Sequence, residues 1–130
     1  MLAPNQPWSF ENLGLIYLDQ GNADGALEVF RQAIKIDPKL PKSLDGMGKA
    51  YVRKGQPAEA IPYFQRALAL QPDSAKMHFQ LGQAYLKTGQ REKGQKELAE
   101  AGHLQARARQ DFEETVSGKL PTPQAPGEAP

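Results

Sequence analysis

The chain has 130 residues, 39 % of them hydrophobic, which is the size and apolar content of one domain. Its 16 Lys+Arg against 15 Asp+Glu leave a formal charge of +1, without the cation excess on which nucleic-acid binders depend. There is no cysteine, hence no disulfide frame and no thiolate site, and no apolar run approaches the ~18–20 residues that span a bilayer.

Residues 1–6 read as an extension. Met1-Leu2-Ala3-Pro4-Asn5 lacks the cationic-then-apolar pattern of a signal peptide. The compartment is left open, and the chain is compatible with being a segment of a longer protein. A first helix is expected from Pro7 to Gln20, with Phe10, Leu13, Tyr17 and Leu18 on one face. Gly21 stops it, since glycine accepts the left-handed conformation at a helix C-terminus. A second helix, Ala23–Ile36, carries Ala26, Leu27, Phe30, Ala33 and Ile34 on its apolar face. Asp37-Pro38 ends it, because proline lacks the amide donor and restricts the residue before it.

The pair then returns twice at an offset of 34 residues. Residues 41–74 repeat 7–40 with Leu44, Met47, Gly48, Tyr51, Gly55, Ala60, Phe64, Ala67 and Pro72. Residues 75–108 repeat it with His78, Leu81, Gly82, Tyr85, Gly89, Gly94, Leu98 and Ala101. Pro62, inside the fourth helix, predicts a slight bend. Ala106 stands where the third proline is due, so helix continues. Leu104, Ala108, Phe112 and Val116 recur every four residues and predict a seventh, amphipathic helix over 104–117, expected to cover the open end of the stack; Gly102 either separates it from the preceding helix or softens one long helix. Its flank of Arg107, Arg109, Gln110, Glu113 and Glu114 would face water. Residues 118–130, rich in proline, read as a flexible tail.

A fixed repeat of this length means supersecondary units that bury their apolar faces only against one another. Gly14, Gly48 and Gly82 share one register, although glycine inside a helix costs ~1 kcal/mol relative to alanine. The implied gain is close approach of paired helix backbones. Ala33, Ala67 and Ala101 predict a second narrow crossing, between units. The pattern Leu-Gly, Tyr, Ala, Phe, Ala, Pro closely resembles the tetratricopeptide repeat family, over about four fifths of the chain. The resemblance implies an all-α, right-handed superhelical solenoid of seven antiparallel helices with a concave groove.

No constellation for catalysis, a metal or a cofactor emerges. His78 occupies a core slot, and His103 falls near the expected end of the last repeat helix. No His pair has the i, i+4 spacing of a helical zinc site. Ser43 and Ser74 read as helix-entry residues, and no serine has a nucleophile-elbow context. Glu113 and Glu114 are adjacent and point to different parts of a helix surface.

In the family, the first helix of each unit lines the groove, where a peptide or partner helix lies. By register the groove positions are Trp8, Glu11, Leu15 and Asp19; Lys42, Asp45, Lys49 and Arg53; and Lys76, Phe79, Gln83 and Lys87. Each taken alone also fits an ordinary solvated position. As a set they are acidic at one end, basic along the rest, with Trp8, Leu15 and Phe79 as apolar contacts. A protein or peptide partner is expected, with an acidic segment or terminal carboxylate held by units two and three. The two-carboxylate clamp of chaperone-binding relatives would require Lys, Asn, Asn, Lys and Arg at Glu11, Leu15, Gly46, Lys76 and Gln80. Only Lys76 matches. The competing readings are a self-assembling piece, pairing through the outer face of the first helix with Phe10 or Ile16, and a non-catalytic arm of a larger protein.

Overall fold

The computed structural model describes residues 6–118, so the expected extension (bar Gln6) and the expected tail (bar Gly118) lie outside the described residues. Six helices and no strand occur among them: α1 Pro7–Asp19, α2 Ala23–Ile36, α3 Pro41–Arg53, α4 Pro57–Leu70, α5 Ala75–Lys87 and α6 Arg91–Val116. Proline opens α1, α3 and α4, where its missing donor would have had no helical partner. Asn22 and Ser74 cap α2 and α5, accepting from the Gly25 and Met77 amides at 2.9 and 3.3 Å. Gly21, Gly55 and Gly89 turn each pair at φ of 76°, 76° and 81°. The amide that follows each glycine donates to the carbonyl of Tyr17, Tyr51 or Tyr85, at 2.8 Å in all three turns, a closed helix C-terminus that consumes an otherwise orphaned acceptor.

Each helix packs on the next, and α1 also packs directly on α3. The register of glycines is filled in a way the period alone does not tell. A Cβ added to Gly14 would lie 2.4 Å from the Phe30 ring, and one on Gly48 would lie 2.3 Å from the Phe64 ring. In units one and two the glycine therefore admits an aromatic ring of the paired helix. Only in unit three, where Leu98 replaces the aromatic, do the backbones meet: a Cβ on Gly94 would lie 3.0 Å from the Gly82 carbonyl oxygen. Phe30 is also gripped from the next unit, 2.4 Å from a Cβ placed on Gly46, and is fully buried. Ala33, Ala67 and Ala101 are buried too; Ala67 packs with Leu44 and Met77 of the neighbouring helices.

The helix count is six rather than seven because α6 is continuous. Its 26 residues correspond to about 39 Å at the usual rise. Gly102 lies inside it with open space where a Cβ would stand, and without proline at 106 nothing removes a backbone bond. His103 is consequently a mid-helix residue rather than a terminal one. From Gln105 to Glu113 every residue is exposed, and Phe112 and Val116 are 68 % and 70 % exposed. The stretch expected to cover the stack stands clear of it instead. Pro62 leaves α4 helical on both sides.

Candidate functional site

The groove positions lie on α1, α3 and α5, and their environments differ. On α1, Trp8 is 56 % exposed and Asp19 is exposed. Leu15 leans against the core made by Leu18, Leu27 and Phe30. Glu11 accepts a hydrogen bond from the Ser43 hydroxyl at 2.7 Å. Ser43 is therefore no helix-entry residue: it is buried inside α3 and ties α3 to α1.

On α3, Lys42 is exposed, while Asp45 is buried and pairs with Lys49 at 3.2 Å. The other Asp45 carboxylate oxygen has no hydrogen-bond partner. The Lys49 ammonium beside Lys76 holds the Lys76 pKa below its ordinary value, with some further lowering by burial and with Asp45 pulling the other way. Two cations thus share one buried carboxylate, an arrangement that an incoming anion would relieve. Arg53 donates a hydrogen bond to the Leu18 carbonyl near the end of α1.

Where α1 meets α3 directly, α3 and α5 are parted by a cavity of about 160 Å³, lined by Lys49, Val52, Arg53, Phe64, Phe79, Gln80, Gln83, Ala84 and Lys87. The cause is one register position. Gly46 lets the Phe30 ring seat against α3; its counterpart 34 residues on is Gln80, whose side chain keeps α5 from closing on Phe64 in the same way. Phe64 becomes the cavity floor. Phe79, half exposed, forms a wall, and the Gln80 amide oxygen is buried without a partner. Three cations and no carboxylate line this space.

Five of the twelve sequence-derived positions, Lys49, Arg53, Phe79, Gln83 and Lys87, are thus brought to one cavity, and Asp45 and Lys76 stand beside Lys49. Trp8, Glu11, Leu15, Asp19 and Lys42 lie outside its lining. Sequence reasoning missed Val52, Phe64, Gln80 and Ala84 as lining residues. The i, i+4 spacing of Asp45 and Lys49 was a usable signal for their pairing.

His78 is held from both sides: Nδ1 lies 2.6 Å from a Glu97 carboxylate oxygen and Nε2 lies 2.8 Å from the Pro72 carbonyl oxygen. Burial alone pushes its pKa down, but these two acceptors and the charges of Glu97 and Glu100 outweigh it and raise the pKa above its ordinary value. The histidine ties α5 to α6 on the side of the stack where Gln65 donates to the Tyr85 hydroxyl at 2.8 Å.

Two family models match the sequence, one described as Tetratricopeptide repeat over residues 51–111 and one as TPR repeat over residues 14–55. No curated protein sequence matches the chain. Among solved structures it is similar to MamA MSR-1, at 26 % identity and a TM-score of 0.74, over 82 % of this chain and 61 % of that one. A crystal structure of MamA shares the fold at 17 % identity and a TM-score of 0.78, over 84 % and 64 %. The second TPR of Spaghetti (RPAP3), bound to the HSP90 peptide SRMEEVD, shares it at 19 % identity and a TM-score of 0.73, over 76 % of this chain and 92 % of that one. The chain spans about three fifths of the length of the MamA structures it matches. No helix among the described residues is long and apolar enough to cross a membrane.

Proposed function

We propose that this chain, which belongs to the tetratricopeptide repeat family, is a non-enzymatic protein-interaction module that holds an acidic segment of a partner in the cavity between α3 and α5. One observation carries the reading: an apolar floor, Phe64 with Val52, under a rim of Lys49, Arg53 and Lys87 with no carboxylate among the lining residues. At about 160 Å³ the space is smaller than the ~300–1,000 Å³ of small-molecule pockets. It suits one side chain of a longer ligand. Carboxylates beside that anchor would meet the rim in charge-assisted hydrogen bonds. In the RPAP3 structure the same fold carries a peptide with three acidic residues, which supports the mode of binding. The partner here is a separate matter, because the clamp positions of chaperone-binding relatives are not conserved in type at Glu11, Leu15, Gly46 and Gln80.

The test is titration of a labelled acidic peptide with a central aromatic residue into wild-type protein and into Lys49→Glu/Lys76→Glu. Wild-type binding should weaken with salt, and the double variant should bind at least roughly tenfold more weakly. Equal affinity and equal salt dependence in the two proteins would end this reading.

A further inference from the structure

The end of α6 is the least explained part of the molecule. Phe112 and Val116 lie one turn apart on one face, and both are exposed. After Arg109 the helix has no further base, while Asp111, Glu113 and Glu114 are acidic. Among the described residues no salt bridge uses any of these acids, and the Glu114 carboxylate takes one hydrogen bond, from Gln110 at 2.9 Å. The helix therefore presents an aromatic anchor flanked on both sides by carboxylates, the chemical complement of an apolar cavity rimmed by Lys49, Arg53 and Lys87.

We infer that the last two turns of α6 dock into the α3–α5 cavity of a second copy of this chain; the inference rests on the reading of that cavity given above. Phe112 enters over Phe64, and Asp111 and Glu113, on opposite sides of it around the helix, reach the cationic rim. Val116 follows one turn on and lies along Phe79. The site is not the chain's own cavity. α6 is one unbroken helix from Arg91, seated on α5 through Gly94 and Ala101, so its tip cannot fold back between α3 and α5. The contact joins two different surfaces, a helix laid into a groove, and so it is heterologous.

The experiment is sedimentation equilibrium of the full chain across a concentration series at low and high salt. It compares wild type, Phe112→Ala and Lys49→Glu/Lys87→Glu, with helical content checked by circular dichroism because the substituted side chains are not core. Wild type should self-associate, more weakly at high salt. Each variant alone should associate roughly thirtyfold more weakly, as for removal of a central anchor. Mixing the two variants should restore a one-to-one complex, since one supplies an intact cavity and the other an intact tip. A wild-type monomer throughout, or association that survives either variant, overturns the inference. If an unrelated acidic peptide still binds that monomer, the reading of the cavity stands without it; if the peptide also fails to bind, both fall.

Discussion

Replacing Gly48 by alanine adds a single methyl group, and the structure says where it goes: 2.3, 2.6 and 2.7 Å from three atoms of the Phe64 ring. Carbon atoms settle near 3.5–4.0 Å, so the ring would have to withdraw by roughly 1 Å. Phe64 is 1 % exposed and packs among Ala60, Leu81 and Ala84, so withdrawing the ring breaks those contacts and pushes it into the cavity that it floors. Overpacking of this kind costs about 1–3 kcal/mol. Alanine also removes the glycine penalty of ~1 kcal/mol in a helix, which obscures the loss in a single measurement. Gly102 supplies the control: it is helical, and a Cβ there meets nothing within 4 Å. The difference between Gly48→Ala and Gly102→Ala in urea unfolding, followed by circular dichroism, cancels the propensity gain and should leave about 1–3 kcal/mol against Gly48→Ala. Shortening the ring in Gly48→Ala/Phe64→Leu should recover part of it, with a coupling on the order of 0.5–3 kcal/mol. If the two alanine variants agree within about 0.5 kcal/mol, the glycines are not ring seats and the packing argument fails.

Two further predictions concern charge. His78 has a raised folded-state pKa, so its contribution is complete below its unfolded value and is lost as pH rises through the folded one. Stability of the wild type should therefore fall across that interval on the alkaline side of pH ~6.5, and His78→Gln should flatten the fall; a pH series of unfolding midpoints checks it, and parallel curves would refute it. Asp45 is the buried carboxylate that pairs Lys49 and draws on Lys76. Asp45→Asn should lower stability yet tighten binding of an acidic peptide, because the cations are left free to meet it; loss of both stability and affinity would place Asp45 among the ligand contacts instead.

The architecture was legible because its signals are one-dimensional. Gly21, Gly55 and Gly89, the tyrosines four residues before each, and Asp37-Pro38 mark turns by sequence distance alone, and α2 occupies the expected Ala23–Ile36. The groove was legible only by register, which says which residues share a face but not how far apart two faces stand. Phe30 between Gly14 and Gly46, against Phe64 facing Gln80, decides whether neighbouring units touch or part, and that contrast becomes visible only when three helices are in place. For the same reason Ser43 read as a helix start although it bonds Glu11 across 32 residues. The seventh helix is the far end of α6: the sequence leaves two outcomes at Gly102, and the backbone bonds continue through it with no left-handed turn.

The three turns have nearly the same dihedral angle and the same closing bond from the residue after the glycine. They behave as interchangeable joints, so the polypeptide is built like a ladder with a standard rung. Duplicating residues 41–74 in tandem would insert another rung: its outer edges meet the neighbours they already have, and the one new seam sets Phe64 of the first copy against Gly46 of the second, as Phe30 sits against Gly46 now. Growth of the scaffold by a whole rung therefore needs one seam of the Phe30–Gly46 kind, closed rather than parted, and leaves the recess before α5 as it is.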